Sequence, residues 1–299
     1  VVAGAVDVIP AAGPHGGDGE AVARGLGLDP ASMLDLSASL NPFAPPLAPL
    51  LARHADAAAR YPDPTRATAA MATALGVDPA RLLLTNGGSE AIALVARALG
   101  GRVAAEPEFA LHPRGPSGPV WRSDPHNPTG ALAPPDARAD VWDEAFYPLA
   151  TGRWTAGRRG IVVGSLTKVF ACPGLRLGYV LADDVDRFRA EQPAWPVSTL
   201  ALAVLEDLLA EAELARWAQR LAAQRDELGR VLAKHGLDAA PSDAPWLLVD
   251  APGLRERLAP HGVLVRDCAS FGLAGVARVA VPDDDGLARL AGALERSAP

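Results

Sequence analysis

Ile161-Val-Val-Gly-Ser-Leu-Thr-Lys-Val-Phe-Ala-Cys-Pro-Gly-Leu-Arg-Leu-Gly178 is the stretch on which the reading of this chain turns. Its apolar start, Ile161-Val-Val163, reads as a buried strand. Small and polar residues follow, then Lys168, a Pro-Gly break and Arg176. Composition gives the lysine weight. Of the 28 Lys and Arg residues only Lys168 and Lys234 are lysines, so arginine is accepted almost wherever a positive charge suffices. A guanidinium does not lose its proton in a protein and cannot act as an amine nucleophile. Lys168 therefore reads as an imine-forming amine. Lys234, in Leu-Ala-Lys-His-Gly, reads as a solvated cation in the last turn of a helix.

The 299 residues can bury a large core and could hold one large or two smaller domains. The chain is 49% hydrophobic, but no uninterrupted apolar run is long enough to span a bilayer. Its start, Val-Val-Ala-Gly-Ala-Val-Asp, has no basic region and no signal-peptide pattern. A net charge of −7 argues against a general nucleic-acid surface, though local arginines could still hold a small anion. Cys172 and Cys268 are far apart and lack metal-ligand spacing, which fits free thiols in a reducing cytoplasm.

Strand and helix signals alternate along the chain. Arg81-Leu-Leu-Leu-Thr85 reads as a strand, Asn86-Gly-Gly-Ser-Glu90 as a turn, and Ala91 to Leu99 as a helix. That geometry offers free N–H groups and a helix dipole to a phosphate, and the absence of Gly-Lys-Ser/Thr argues against a P-loop. Asp124-Pro-His-Asn-Pro-Thr-Gly130 is a rigid turn carrying an amide. In Asp140-Val-Trp-Asp-Glu-Ala-Phe-Tyr147, Val141 and Trp142 read as a strand with Asp143 at its C-terminal end, where ligands of open parallel sheets gather. Leu47 to Arg60 reads as a helix stopped by Tyr61-Pro-Asp-Pro64. Ser198 to Lys234 reads as helical with a break, and shorter strands and helices follow to Glu295.

Four motifs now stand in order: Asn-Gly-Gly-Ser-Glu, His-Asn-Pro-Thr-Gly, Asp-Glu-Ala-Phe, and Ser-Leu-Thr-Lys with Arg176 eight residues on. Together they resemble the fold-type I pyridoxal phosphate (PLP) enzymes of the class I/II aminotransferase family, over nearly the whole chain. The resemblance implies that Lys168 holds PLP and then acts as acid and base. Asp143 would pair with the pyridine nitrogen and Asn127 with the phenolate oxygen. Gly88, Ser89, Ser165 and Arg176 would hold the phosphate, and Phe109 would stack on the ring. Tyr61 would reach the phosphate of a partner subunit, which implies a homodimer. Arg278 would grip a substrate carboxylate. Phe146 stands where many relatives of this kind carry a tyrosine.

His15-Gly-Gly17, Leu34-Asp-Leu-Ser-Ala-Ser-Leu-Asn-Pro42 and Val265-Arg-Asp-Cys-Ala-Ser-Phe-Gly-Leu273 more closely resemble the threonine-phosphate decarboxylases of the cobalamin pathway. That resemblance puts His15, Gly16, Ser39 and Arg266 beside the substrate, with Asn127 and Arg278. It also implies a trimmed segment between Phe109 and Asn127. The expected architecture is α/β: a large PLP domain over residues 43–200 with a mainly parallel sheet flanked by helices, and a smaller α/β domain from residues 1–42 and 201–299. The expected function is PLP-dependent decarboxylation of O-phospho-L-threonine. The alternatives are an aminotransferase acting on a phosphorylated amine such as histidinol phosphate, and a non-catalytic PLP-binding module.

Overall fold

The computed structural model describes residues 9–297. The chain divides into two compact units, one of residues 43–127 and 132–219, the other of residues 1–42, 128–131 and 220–299. The smaller unit opens the described chain with helix α1 (Gly19–Gly25) and strand β1 (Leu34–Asp35).

The larger unit then runs through α2 (Leu47–Arg53), α3 (Thr65–Leu75), β2 (Leu82–Asn86), α4 (Gly87–Leu99), β3 (Arg102–Val103), β4 (Val120–Ser123), β5 (Val141–Asp143), α5 (Tyr147–Thr151), β6 (Ile161–Ser165), α6 (Leu166–Val169), β7 (Leu177–Leu181), α7 (Asp186–Arg189) and α8 (Thr199–Ala210). Its six strands form one sheet in the order β2-β7-β6-β5-β4-β3. β3, β4, β5 and β6 are mutually parallel; β7 alone runs antiparallel to its neighbours β6 and β2. The sheet is buried on both faces, which is why its strands read as near-continuous apolar runs. Alternate residues serve opposite cores. Leu82, Leu84, Trp142, Val162 and Tyr179 join α3 and α8 on one side. Leu83, Trp121, Val141, Val163 and Val180 join α4 and α7 on the other.

Two local expectations shift. The helix from Leu47 ends at Arg53 and gives way to a 3-10 turn over Ala55–Ala59. At this junction His54 Nε2 lies 2.8 Å from Asp207 Oδ2. A parallel pair normally needs a crossover built on a helix; residues 104–119 join β3 to β4 with neither helix nor strand.

α9 (Leu214–Lys234) begins in the larger unit and ends in the smaller. The break expected before it falls at residues 211–213. The smaller unit continues with β8 (Ala239–Ala240), β9 (Trp246–Asp250), α10 (Leu254–Leu258), β10 (Val263–Leu264), β11 (Arg266–Asp267), β12 (Val276–Ala280) and α11 (Asp284–Arg296). β11-β12-β9-β8 form an antiparallel sheet, and β1 pairs in parallel with β10. α11 starts where the Asp283 side chain accepts from the Gly286 N–H at 2.8 Å, with Asp284 and Asp285 in its first turn and Arg296 in its last. Among the described residues no helix is long and apolar enough to cross a membrane.

Candidate active site

Topology concentrates chemistry at one edge of the six-stranded sheet. β5 and β6 end there in Asp143 and Ser165, and β2 ends there in Asn86. β7 starts there, because it runs the opposite way: Asn86 pairs with Leu177 and Ser165 with Gly178. Sequence-distant groups therefore meet without any long side chain having to reach.

Gly87 has φ +77°, a backbone state that a side chain disfavours, and a Cβ there would lie 2.5 Å from Arg176 Nη2. A Cβ on Gly88 would stand 3.0 Å from that of Ser165. The glycine turn, Ser165 and Arg176 thus share one small space at the start of α4. Arg176 itself has φ +57°, and its guanidinium makes one long bond, to Pro173 O at 3.4 Å, and no ion pair among the described residues. An uncommitted cation beside helix N–H groups suits a bound phosphate.

α6 carries Lys168 straight off β6. Its Nζ lies 5.9 Å from the centroid of the Phe146 ring. Beside it, the Thr167 hydroxyl is buried with no hydrogen-bond partner among the described residues. Burial pushes the Cys172 thiol up to about 12, against the pull of Arg176 and Lys168, so it stays protonated and inert.

Asp143 is buried and its Oδ1 accepts from the Ala145 N–H at 3.0 Å. Its Oδ2 lies 3.1 Å from His112 Nε2. His112 packs edge-on to Phe109, ring centroids 5.7 Å apart, and at 5.3 Å from Trp121. Sequence reading missed His112: a lone histidine in an irregular connection carries no periodic signal. It also missed Gly87, reading only Gly88 from the pair. Asn127 lies four residues beyond β4 and is buried. The base of its turn is fixed by Asp124, whose Oδ1 accepts from the Ala133 N–H at 2.8 Å and whose Oδ2 is 2.5 Å from Arg158 Nη2. Arg158 Nη1 reaches Glu144 at 3.4 Å, and its guanidinium stacks over Trp142 at 4.0 Å. Tyr61 is 78% exposed and stacks on the exposed Trp195, centroids 4.8 Å apart. Ser89 lies in the first turn of α4.

The remaining sequence candidates lie in the smaller unit. Arg266 and Arg278 face each other across β11 and β12, both buried. Arg278 stacks at 4.7 Å over Trp246, and burial lowers it to about 10. Burial lowers Arg266 too. Arg266 forms no ion pair among the described residues; Asp267, its neighbour, accepts from the Ala269 N–H instead. Its guanidinium donates to Pro14 O at 2.5 Å, Gly13 O at 3.4 Å and Ser270 Oγ at 2.8 Å. It thus holds the segment that carries His15 and Gly16. A Cβ on Gly16 would meet Ser37 O at 2.2 Å, and the Gly17 N–H donates to Ser37 Oγ at 2.8 Å. Ser39 is fully buried at φ +50°, its hydroxyl without a partner among the described residues.

Residues 116–294 match the family model described as aminotransferase class I and II. The histidinol-phosphate aminotransferase 1 of Thiobacillus denitrificans is 30% identical, over 87% of this chain and 84% of that protein. The chain belongs to the class I and II aminotransferases. Among solved structures, it is similar to the L-threonine-O-3-phosphate decarboxylase of Porphyromonas gingivalis, with TM-score 0.76, 21% identity, and coverage of 88% of this chain and 99% of that one. It is similar also to the histidinol-phosphate aminotransferase of Sinorhizobium meliloti in complex with pyridoxal-5'-phosphate, with TM-score 0.73, 19% identity, and coverage of 87% and 89%. These likenesses confirm the α/β architecture with its mainly parallel sheet. The chain is a PLP-dependent enzyme. The residues at the sheet edge fit that group: a glycine cradle that a Cβ would fill, an uncommitted arginine, a buried acid and a lysine on one edge.

Proposed function

We propose that this chain is an aminotransferase whose amino donor is a phosphorylated amine of the histidinol phosphate type. The observation that carries this reading is the 30% identity to a histidinol-phosphate aminotransferase across 87% of the chain. It displaces decarboxylation, the expectation from the sequence motifs, as the principal reading.

When bound, PLP supplies an electron sink for the pair left behind as a bond to the substrate α-carbon breaks. The chain's own residues would orient and tune it. Gly88, Ser89, Ser165 and Arg176 would bind its phosphate through N–H, hydroxyl and guanidinium. Asp143 would hold a proton on the pyridine nitrogen by its opposite charge. Asn127 would donate to the phenolate oxygen, and Phe109 would cover one ring face. Lys168 would anchor the cofactor through its amine and then move a proton at the substrate α-carbon. Arg278 would hold an anionic end of the amine or oxo-acid substrate, with His15, Gly16, Ser39 and Arg266 forming the nearby wall. A homodimer with Tyr61 offered to the partner's phosphate completes the proposal, supported by the exposure of that ring. A cytoplasmic location is part of it, supported by two free, buried thiols.

Decarboxylation of O-phospho-L-threonine is the second reading. It is favoured by the segment around His15-Gly-Gly17 and the one around Arg266, which touch through the Arg266 guanidinium. The holoenzyme decides between them. Histidinol phosphate consumed only when a 2-oxo acid is present, with a new amino acid formed, is the expected result. Carbon dioxide released from O-phosphothreonine without any oxo acid would overturn it. Turnover of neither substrate would reject both substrate assignments.

A further inference from the structure

Asp143 ends a row of three buried ionisable side chains, Glu108, His112 and Asp143, of which the proposed reaction uses only the last. Glu108 sits in the helix-free connection between β3 and β4 with its side chain 1% exposed. It accepts from the Ser123 N–H at 3.0 Å, from the Phe109 N–H at 2.9 Å, and from the Ser123 hydroxyl. Four residues on, the His112 ring is wholly buried. Its Nε2 faces Asp143 Oδ2 at 3.1 Å and its Nδ1 faces Glu108 Oε1 at 3.8 Å, without a hydrogen bond among the described residues.

This arrangement constrains the protons. An ionised Asp143 can only accept, so Nε2 must carry a hydrogen. If that were the ring's only proton, the Nδ1 lone pair would point at a second buried carboxylate, and two like-signed partners would face each other in a dry site. A second proton on Nδ1 turns that repulsion into attraction. The Trp121 and Phe109 rings, both neutral, also pack against it. Glu106 and Arg114, from the same connection, neutralise each other at 2.8 Å.

We propose that Glu108 is a positioning residue that acts through His112 on Asp143. It keeps the imidazole doubly protonated, so that the ring bridges two carboxylates and Asp143 stays ionised and aimed. The inference rests on the reading of Asp143 as the partner of the pyridine nitrogen, but its first test does not. In apoenzyme labelled with ¹⁵N-histidine, the His112 resonances are identified by their loss in His112→Asn. The expected result is two protonated ring nitrogens at neutral pH. Glu108→Gln keeps the shape and the acceptor for Ser123 and should leave a single proton, on Nε2. Ser123→Ala, which leaves the Glu108 charge in place, should leave two. A single proton in the unaltered protein, or two in Glu108→Gln, overturns the proposal. Cofactor titration forms the second arm. Glu108→Gln should weaken PLP binding by about tenfold, or ~1.4 kcal/mol. Unchanged binding in Asp143→Asn would defeat the pyridine reading alone and leave the proton arrangement standing.

Discussion

Arg176 in the larger unit and Arg266 in the smaller are the same residue in opposite circumstances. Arg176 sits at a sheet edge, next to a glycine turn, with one long bond to a carbonyl. Arg266 lies buried in a strand with three acceptors of its own chain around it. A guanidinium with nothing to hold is available to a ligand anion. One already holding a segment of backbone has fewer donors left for a ligand. Residue type alone cannot separate the two uses; the acceptors do.

The sharpest test removes the amine rather than a guanidinium. If arginine can supply every charge that this fold needs except at Lys168, then Lys168→Arg should preserve folding and lower turnover by about 10³-fold or more. Borohydride should then fix no cofactor to the chain. Lys234→Arg should change neither. Retained turnover in Lys168→Arg, or label found at Lys234, would remove the reason for reading the lysines as different in kind.

A third arginine shows what the comparison leaves out. Arg158 joins Asp124 and Glu144, both of whose side chains are fully buried, beneath the turns that carry Asn127 and Asp143. Removing one partner of a buried ionic set typically costs about 3–5 kcal/mol. Arg158→Ala should therefore lower stability by about that much in chemical denaturation. Its pH dependence has a definite sign. Burial raises the Glu144 carboxyl above its ordinary value, and Arg158 pulls the other way. A raised carboxyl is most at home protonated, so its contribution is full below the ordinary value and is lost as pH climbs through the folded one. Without Arg158 the loss deepens, so the variant should be more damaged at neutral than at acidic pH. Equal damage at both would show that the stacking on Trp142, not the charge, is what matters.

Much of the larger unit was legible because its strands and turns are short, ordered and punctuated. Asn86-Gly-Gly, Val141-Trp-Asp and Ile161-Val-Val each place a site residue at a strand end. The resemblance supplied roles that spacing alone could not. What escaped was contact across the fold. Nothing local marks His112 or Glu108, whose importance comes from meeting Asp143 and Ser123 in space. The Arg266 donors hold the carbonyls of Gly13 and Pro14. That bond spans more than 250 positions of chain, a pairing no local pattern encodes.

Arg176→Ala tests the open half of the comparison. A charge-assisted contact to phosphate is worth about 1.5–3 kcal/mol. Cofactor affinity should fall roughly ten- to a hundredfold, since each ~1.4 kcal/mol is a factor of ten. The fold should survive, because Arg176 carries no buried partner. A large fall in melting temperature with PLP affinity unchanged would reverse the assignment.

Arg266→Ala tests the committed half, where the smallest effect on any one substrate is expected. The three acceptors it satisfies would be left with fewer donors, and unpaired buried groups cost about 1–3 kcal/mol. If the guanidinium serves mainly to seat residues 13–16, then kcat/KM should fall by a similar factor for a phosphorylated substrate and for its unphosphorylated counterpart, because the same wall is displaced for both. If it instead grips the substrate phosphate, the phosphorylated substrate alone should suffer, roughly ten- to a hundredfold, by the same conversion. Arg278 provides the internal control. Its side chain stacks on Trp246, and an anionic ligand should favour its charged form, which burial disfavours. Arg278→Ala should therefore damage both substrates. A selective loss in Arg266→Ala would place the two facing arginines on the two ends of one substrate. Equal losses would leave Arg278 as the ligand's arginine and Arg266 as the chain's.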